Sequence, residues 1–317
     1  MHEVIVHRHR FRALLARVQA GAAIPAAIAH PCDEVAVAAA VEAAEEGLIT
    51  PIFVGPARKI AAAAQRAGVD MARFRVVDAP HSHAAAAQAV ALVKRGEAKL
   101  LMKGSLHTDE FMHAVCAEDG LRTGRRMSHV FLMDVPSYAR LLMVTDAAVN
   151  IFPTLMEKRD IVQNAIDLAH VIGIAAPKVA VLSAMETVNP ALPSTVDAAA
   201  LCKMAERGQI TGGIVDGPLA FDNAVDVAAA REKGIVSPVA GAADILVVPD
   251  LESGNMLAKQ LSFLGGAEAA GIVMGAQVPI ILSSRADTPR ARIASCAVAA
   301  LVVQACNTPA VPATVES

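Results

Sequence analysis

The stretch "VPIILSSRADTPRARIAS" (residues 278–295) ends a β-branched apolar run in Ser283, Ser284, Arg285 and Asp287. Two hydroxyl donors beside a permanently charged, planar guanidinium suit the oxygens of a phosphate or another anion. Pro289 opens a helical pattern, whose first N–H groups would bring partial positive charge to the same place. Thr288 reads as the N-cap of that helix, and Asp287 sits well near its start. Capping accounts for Asp287 and Thr288. It does not account for Arg285, because a cation at a helix N-terminus is unfavourable unless an anion compensates it.

Other segments repeat the pattern of an apolar run ending in polar groups. "MKGSLHTDEF" supplies Lys103, a glycine that permits close backbone approach, Ser105 and Thr108, which suits an anion or a solvated lysine before a capped helix. "RRMSHVFLM" places Arg125, Arg126, Ser128 and His129 just ahead of a buried strand. "VVPDLESGNMLAKQL" sets Asp250, Ser253, Gly254 and Asn255 at a strand-to-helix junction, where capping is the default role. In "VDGPLAFDNAVD", Asp216 ends a strand, while Asp222 and Asp226 are spaced to share a helix face, as a solvated pair or as ligands of a divalent cation. GxGxxG, a Gly-Lys dipeptide, HExxH and GxSxG are all absent, which argues against a dinucleotide fingerprint, a Walker A loop and the common hydrolase motifs. His81 and His83 are too few for a metal, and no metal site is expected.

The elements that must position these groups alternate. Apolar runs at 25–29, 49–55, 74–79, 98–104, 128–135, 140–146, 178–184, 210–217, 243–250, 270–275 and 278–284 read as strands. Amphipathic stretches lie between many of them. One runs from Asp33 at an N-cap to Gly47, and another covers 157–173. Alternating β and α implies a largely parallel sheet with helices on both faces, and ligands beyond the carboxyl ends of its strands. Aromatics are only 3% of the 317 residues, with one Tyr and no Trp, so the cores rest on Ala, Val, Ile and Leu. That scarcity, with a net charge of −3, removes the stacking and electrostatic grounds for nucleic-acid or anionic-membrane binding. The uncharged stretch 293–315 has too short a continuous apolar part to span a bilayer and reads as a buried helix with a tail. Five scattered cysteines without a CxxC read as free thiols in a reducing, cytoplasmic compartment. The length suggests two domains, with a boundary near 136–140.

"GGIVDGPLAFDNAV", "AADILVVPDLESGNMLAKQL", "TDAAVNIFP" and "SSRAD" together resemble the phosphate acetyl/butyryltransferases, over about Ala22 to Val303. "NIFPTLMEKRDIVQNAIDLAHVIGI" and "SSRAD" look closer to the butyryl branch, since acetyl-specific members typically carry Asn-Asp-Leu-Ser-Arg-Gly at the position of Leu282 to Ala286. The resemblance implies a two-domain, three-layer α/β/α fold with isocitrate/isopropylmalate dehydrogenase-like architecture and a site in the interdomain cleft. The first domain would take 1–137 plus 289–317, and the second 138–288. It also implies a homodimer, no tightly bound cofactor, and reversible transfer of an acetyl or butyryl group between coenzyme A, as substrate, and phosphate.

By the same resemblance, Ser284 stabilises the tetrahedral oxyanion and Arg285 holds phosphate. Ser283, Thr108, Ser128, Arg126, Lys103 and Asn255 are candidate substrate ligands. The aspartate that acetyl-specific members use as base falls near Ala291 here, so either Asp287 takes the role or the reaction rests on positioning. Two other readings share the architecture. One is a metal- and NAD-dependent decarboxylating dehydrogenase, for which only Asp222 and Asp226 speak. The other is a coenzyme A-binding protein without catalysis, which the displaced aspartate would suit.

Overall fold

The computed structural model describes residues 10–282 and 287–307. After α1 (Arg10–Gln19) the chain alternates: β1 (Ile24–Ala29), α2 (Glu34–Glu45), β2 (Ile49–Gly55), α3 (Ala57–Arg66), β3 (Arg75–Asp78), α4 (Ser82–Lys94), β4 (Leu100–Lys103) and α5 (Thr108–Val115). β5 (Ser128–Asp134) and β6 (Leu141–Thr145) pair as antiparallel neighbours. Alternation resumes with α6 (Leu155–Ile172), β7 (Lys178–Leu182), α7 (Pro193–Glu206), β8 (Ile214–Leu219), α8 (Phe221–Val225), α9 (Val227–Glu232), β9 (Ile245–Val247) and α10 (Leu251–Phe263). β10 (Glu268–Met274), β11 (Ile280–Ile281) and α11 (Pro289–Asn307) close the described chain.

Local chemistry sets the ends. The Asp33 carboxylate accepts from Ala36 N at 2.7 Å and caps α2, and Gly47 at φ +73° turns the chain out of it. Thr154 and Glu157 form a capping box on α6. α11 has the composition of a membrane span, yet Cys296, Val298, Ala299 and Ala300 are almost wholly buried in the core.

All strands join one mixed, mostly parallel sheet in the order β3-β2-β1-β4-β11-β10-β5-β6-β9-β7-β8. β3, β2, β1, β4 and β11 run one way and form a parallel block. β10 opposes both of its neighbours, β11 and β5. β6 opposes β5, and β9, β7 and β8 follow β6 as a second parallel block. The two blocks therefore run in opposite directions, and their carboxyl ends open on opposite edges of the sheet. β11 lies beside β4 in the first block, although the expected boundary at 288 put it in the second unit.

The faces differ. On one, a single core runs under both blocks, through Val18, Phe53, Met102, Val130, Ile166 and Val298. On the other, two cores stand apart. Leu101, Phe111, Val273 and Ile280 belong to one, and Met133, Leu182 and Leu246 to the other. Val149 and Leu282 both pack on the edge of the first of these two.

Candidate functional site

The strand order reverses between β1 and β4, which is where open α/β sheets form a ligand crevice. His30 leaves β1 at φ +53°, and Gly104 leaves β4 with its N–H on Ala29 O at 2.8 Å. The Ser105 hydroxyl donates to His30 O at 2.8 Å and accepts from Cys32 N at 3.0 Å, stitching the two loops together. Lys103 Nζ lies 3.3 Å from Gly104 O and 3.2 Å from Leu106 O, folded over its own loop. Thr108 is exposed in the first turn of α5, whose N-cap, His107, offers no side-chain bond. Burial, and then the nearby Lys59, pulls the His30 pKa down, whereas burial lifts the Cys32 thiol to about 11. Cys32 is thus a protonated thiol at neutral pH and no nucleophile.

Ile281 pairs with Met102, so the chain leaves β11 at Leu282 level with Lys103. Ser283, Ser284 and Arg285 lie outside the described residues. On the far side, half-buried Asp287 precedes Thr288, whose hydroxyl accepts from Ala291 N at 3.1 Å as the expected N-cap. Gly104 fixes how closely β1 and β4 approach at this point. A Cβ there would meet Ala29 O at 2.5 Å and His30 O at 2.7 Å, both backbone. Gly104→Ala is expected to cost about 1–3 kcal/mol of stability, which a thermal melt of the variant against wild type checks.

Arg126 and Ser128 stand elsewhere. Ser128 opens β5, which runs in the same direction as β4, whereas Lys103 closes β4. Ser128 is fully buried and its hydroxyl accepts from Asn164 Nδ2 at 2.8 Å, so here it is committed to α6 rather than offered to a solvent-borne phosphate. The side chain of Arg126 is about half exposed, at 47%. Its Nε donates to Asn150 Oδ1 at 2.6 Å, and its guanidinium reaches Glu157 at 3.1 Å. Asp160 accepts from the Arg126 backbone N–H at 2.9 Å, and Asn164 donates to the Arg126 carbonyl at 2.9 Å. Asn150 is itself pinned by Asp146, whose carboxylate also takes the N–H groups of Ala148 and Val149.

The remaining candidates scatter. Asn255 Nδ2 lies 3.2 Å from Ala147 O, tying α10 to the loop after β6. Asp250 and Ser253 form a capping box, and the Asp216 carboxylate accepts from Gly217 N. Asp222 and Asp226 do not share a helix face, since Asp222 lies in α8 and Asp226 at the junction before α9. Asp226 caps α9, and Asp222 pairs with Lys233 at 3.7 Å, so the divalent-cation reading of this pair is withdrawn. Among the described residues no group of three acidic, His or Cys side chains could hold a metal. His81 caps α4 and His83 faces Glu110 at 2.7 Å. A polar depression of about 640 Å³ beside Arg125 is lined by Arg159, Asp160, Gln163 and Asp167. Another, of about 630 Å³, sits near Pro25, Ile49 and Thr50, at the amino ends of β1 and β2.

The polar stripe of α6 was missed in the sequence. Glu157, Asp160, Asn164 and Asp167 recur at helical spacing, which was the available signal, and all four contact Arg125 or Arg126.

A family model described as "Phosphate acetyl/butaryl transferase" matches residues 81–300. A phosphate acetyltransferase of Rhizobium meliloti is 64% identical over 92% of this chain and 93% of its own length. A phosphate butyryltransferase of Clostridium acetobutylicum is 42% identical over 92% of this chain and 97% of its own. The crystal structure of a branched-chain phosphotransacylase from Enterococcus faecalis V583 superposes with a TM-score of 0.76 at 31% identity, covering 88% of this chain and 99% of that one. Identity to the relative named for acetyl transfer exceeds that to the one named for butyryl transfer, contrary to the lean drawn from "SSRAD".

Proposed function

Because the chain belongs to the phosphate acetyl/butyryltransferase family, and so moves an acyl group reversibly between coenzyme A and phosphate, we propose that the reaction is centred at the carboxyl ends of β4 and β11. The observation that carries this placement is the register of Ile281 with Met102, which brings Leu282, the residue before Ser283 in sequence, level with Lys103. In the forward direction the coenzyme A sulfur forms a bond to the acyl carbon, and the bond from that carbon to the phosphate oxygen breaks. The thiol proton passes to a base and leaves with phosphate. A free thiol near pKa 8.5 gains from such a base. Asp287, half-buried at the start of α11, is the nearest described carboxylate in sequence to Ser284, and either it takes the proton or positioning suffices. Ser284 donates to the oxyanion, while Arg285 and Lys103 hold the phosphate that departs.

The separation of two cores on one face supports a cleft between units 1–137 plus 289–317 and 138–288, with the return drawn ahead of Ile280 because β11 pairs with β4. We extend the same reading to a dehydrogenase-like architecture, a homodimer, a cytoplasmic location and catalysis without a tightly bound cofactor.

The test is thioester absorbance with coenzyme A and acyl phosphates from acetyl to valeryl. Turnover is expected to be greatest with the shorter chains. Lys103→Ala and Arg285→Ala should each raise KM for acyl phosphate roughly tenfold, the effect of losing one charged hydrogen bond, and spare KM for coenzyme A. Unchanged acyl phosphate constants in both variants would move the phosphate site away from β4 and β11 while leaving the family's reaction intact.

A further inference from the structure

Two buried side chains that no substrate has been assigned to stand behind one arginine, Asn150 bonded to it and Asp146 bonded to Asn150. Asp146 and Asn150 are each 3% exposed, at the loop that follows β6. Asp146 Oδ2 accepts from Asn150 N at 3.0 Å and from Asn150 Nδ2 at 2.5 Å, and Oδ1 accepts from Ala148 N and Val149 N at 2.9 and 3.1 Å. A buried carboxylate with four N–H bonds is a satisfied group, and its cost of burial is met only while all four hold. Burial pushes its pKa up, and those four bonds oppose that push. Asn150 also donates to Met127 O at 2.9 Å, which leaves its Oδ1 aimed at Arg126 Nε, 2.6 Å away.

The result is a one-way orientation. Nδ2 of Asn150 is used twice as a donor, so the amide cannot flip without setting an N–H against Arg126. Glu157 grips the same guanidinium at 3.1 Å from α6. Asp160 and Asn164 fix the Arg126 backbone on both sides of the residue. Four polar groups on the β6 loop and α6 thus hold one arginine, two at its guanidinium and two at its backbone, and its side chain still shows 47% of its surface. A surface arginine with only a solvent role needs no buried carboxylate behind it, because an exposed pair contributes little to stability.

We infer that Asp146 and Asn150 are positioning residues that set the Arg126 guanidinium to receive a phosphate group of the substrates. This rests on the reading of Arg126 as a phosphate ligand. The nucleotide phosphates of coenzyme A carry that chemistry, since the acyl phosphate is read at Lys103, on the opposite edge of the sheet. A planar fork serves such a group only when its edge is aimed, which is what separates arginine from a point charge.

The experiment compares Arg126→Ala, Arg126→Lys, Asn150→Ala and the double variant Arg126→Ala/Asn150→Ala, with KM for acetyl phosphate and for coenzyme A measured separately from kcat. Arg126→Ala and Asn150→Ala should each raise KM for coenzyme A roughly tenfold with a smaller change in kcat. A rise confined to KM for acetyl phosphate would overturn the assignment to coenzyme A. Arg126→Lys should resemble Arg126→Ala, since lysine cannot bond Asn150 through Nε. The double variant should match Arg126→Ala alone, because the amide acts through the arginine. Full additivity in the double variant, or wild-type constants in Arg126→Lys, would overturn the positioning role. Unchanged constants in Arg126→Ala would instead overturn the reading of Arg126 on which it rests. Arg126→Lys replaces a half-exposed side chain and keeps the test decisive if Asn150→Ala does not fold.

Discussion

Ser284→Ala is expected to lower kcat roughly 10²–10³-fold, the loss that follows removal of one oxyanion donor, with little change in KM for coenzyme A. The residues on either side explain why this hydroxyl, and not a cap, should carry such an effect. Leu282 packs on the core beside Leu101 and Ile280, level with Lys103. Thr288 caps α11 through its own hydroxyl, 3.1 Å from Ala291 N. The helix therefore has its N-cap without Ser284. A structural serine would shift the melting temperature and leave kcat nearly alone. The expected result is the reverse, an unchanged melt and a collapsed kcat. Ser283→Ala provides the comparison, with an expected loss of less than about tenfold for a hydrogen bond to phosphate. Equal kcat values for Ser284→Ala and wild type would remove the serine from the chemistry.

The strands were legible because each is an apolar run cut off by a turn residue or a polar group. "ITPIFVG" coincides with β2, and Asp33 and Thr288 cap where their side chains predicted. Direction was not legible. The opposition of β10 and β5 to their neighbours reverses the second block, and that depends on pairings between segments more than a hundred residues apart, such as Val273 with His129. For the same reason the candidate ligands divide between two edges of the sheet. Ser128 shows the limit most clearly. A serine ahead of a strand reads as a ligand when only its type is visible, yet an Asn on α6, 36 residues away, takes its hydroxyl inside the core. Asp222 and Asp226 failed as a pair because the chain breaks α8 at Val225, so spacing that would align them on one helix instead makes Asp226 the cap of the next.

His129 is expected to make the fold lose about 3 kcal/mol of stability as the pH falls from near 7 to near 4. The imidazole is 2% exposed, and its ring lies edge-on to Phe131 at 4.3 Å. Gly271 makes room for it, since a Cβ there would meet Nε2 at 2.8 Å. Among the described residues its Nδ1 is buried without a hydrogen-bond partner, so no acceptor there stabilises a second proton. Burial accordingly pulls the pKa from 6.5 to about 4. The sign follows from proton counts. Between these two values the unfolded chain holds a proton on this ring that the folded chain refuses, so stability falls as pH drops through the window and levels off below it. His30, also lowered, acts in the same direction, while buried Asp146, raised, acts against it. The total acid response therefore mixes several groups, and the difference between wild type and a variant isolates one. His129→Asn removes the titration and keeps a polar side chain under the same neighbours. The variant should be less stable than wild type at pH 7.5, because the ring packing is lost, and that deficit should shrink by about 3 kcal/mol in urea unfolding at pH 4. Parallel curves for the two proteins across the range would mean that the buried imidazole is not what the acid reaches.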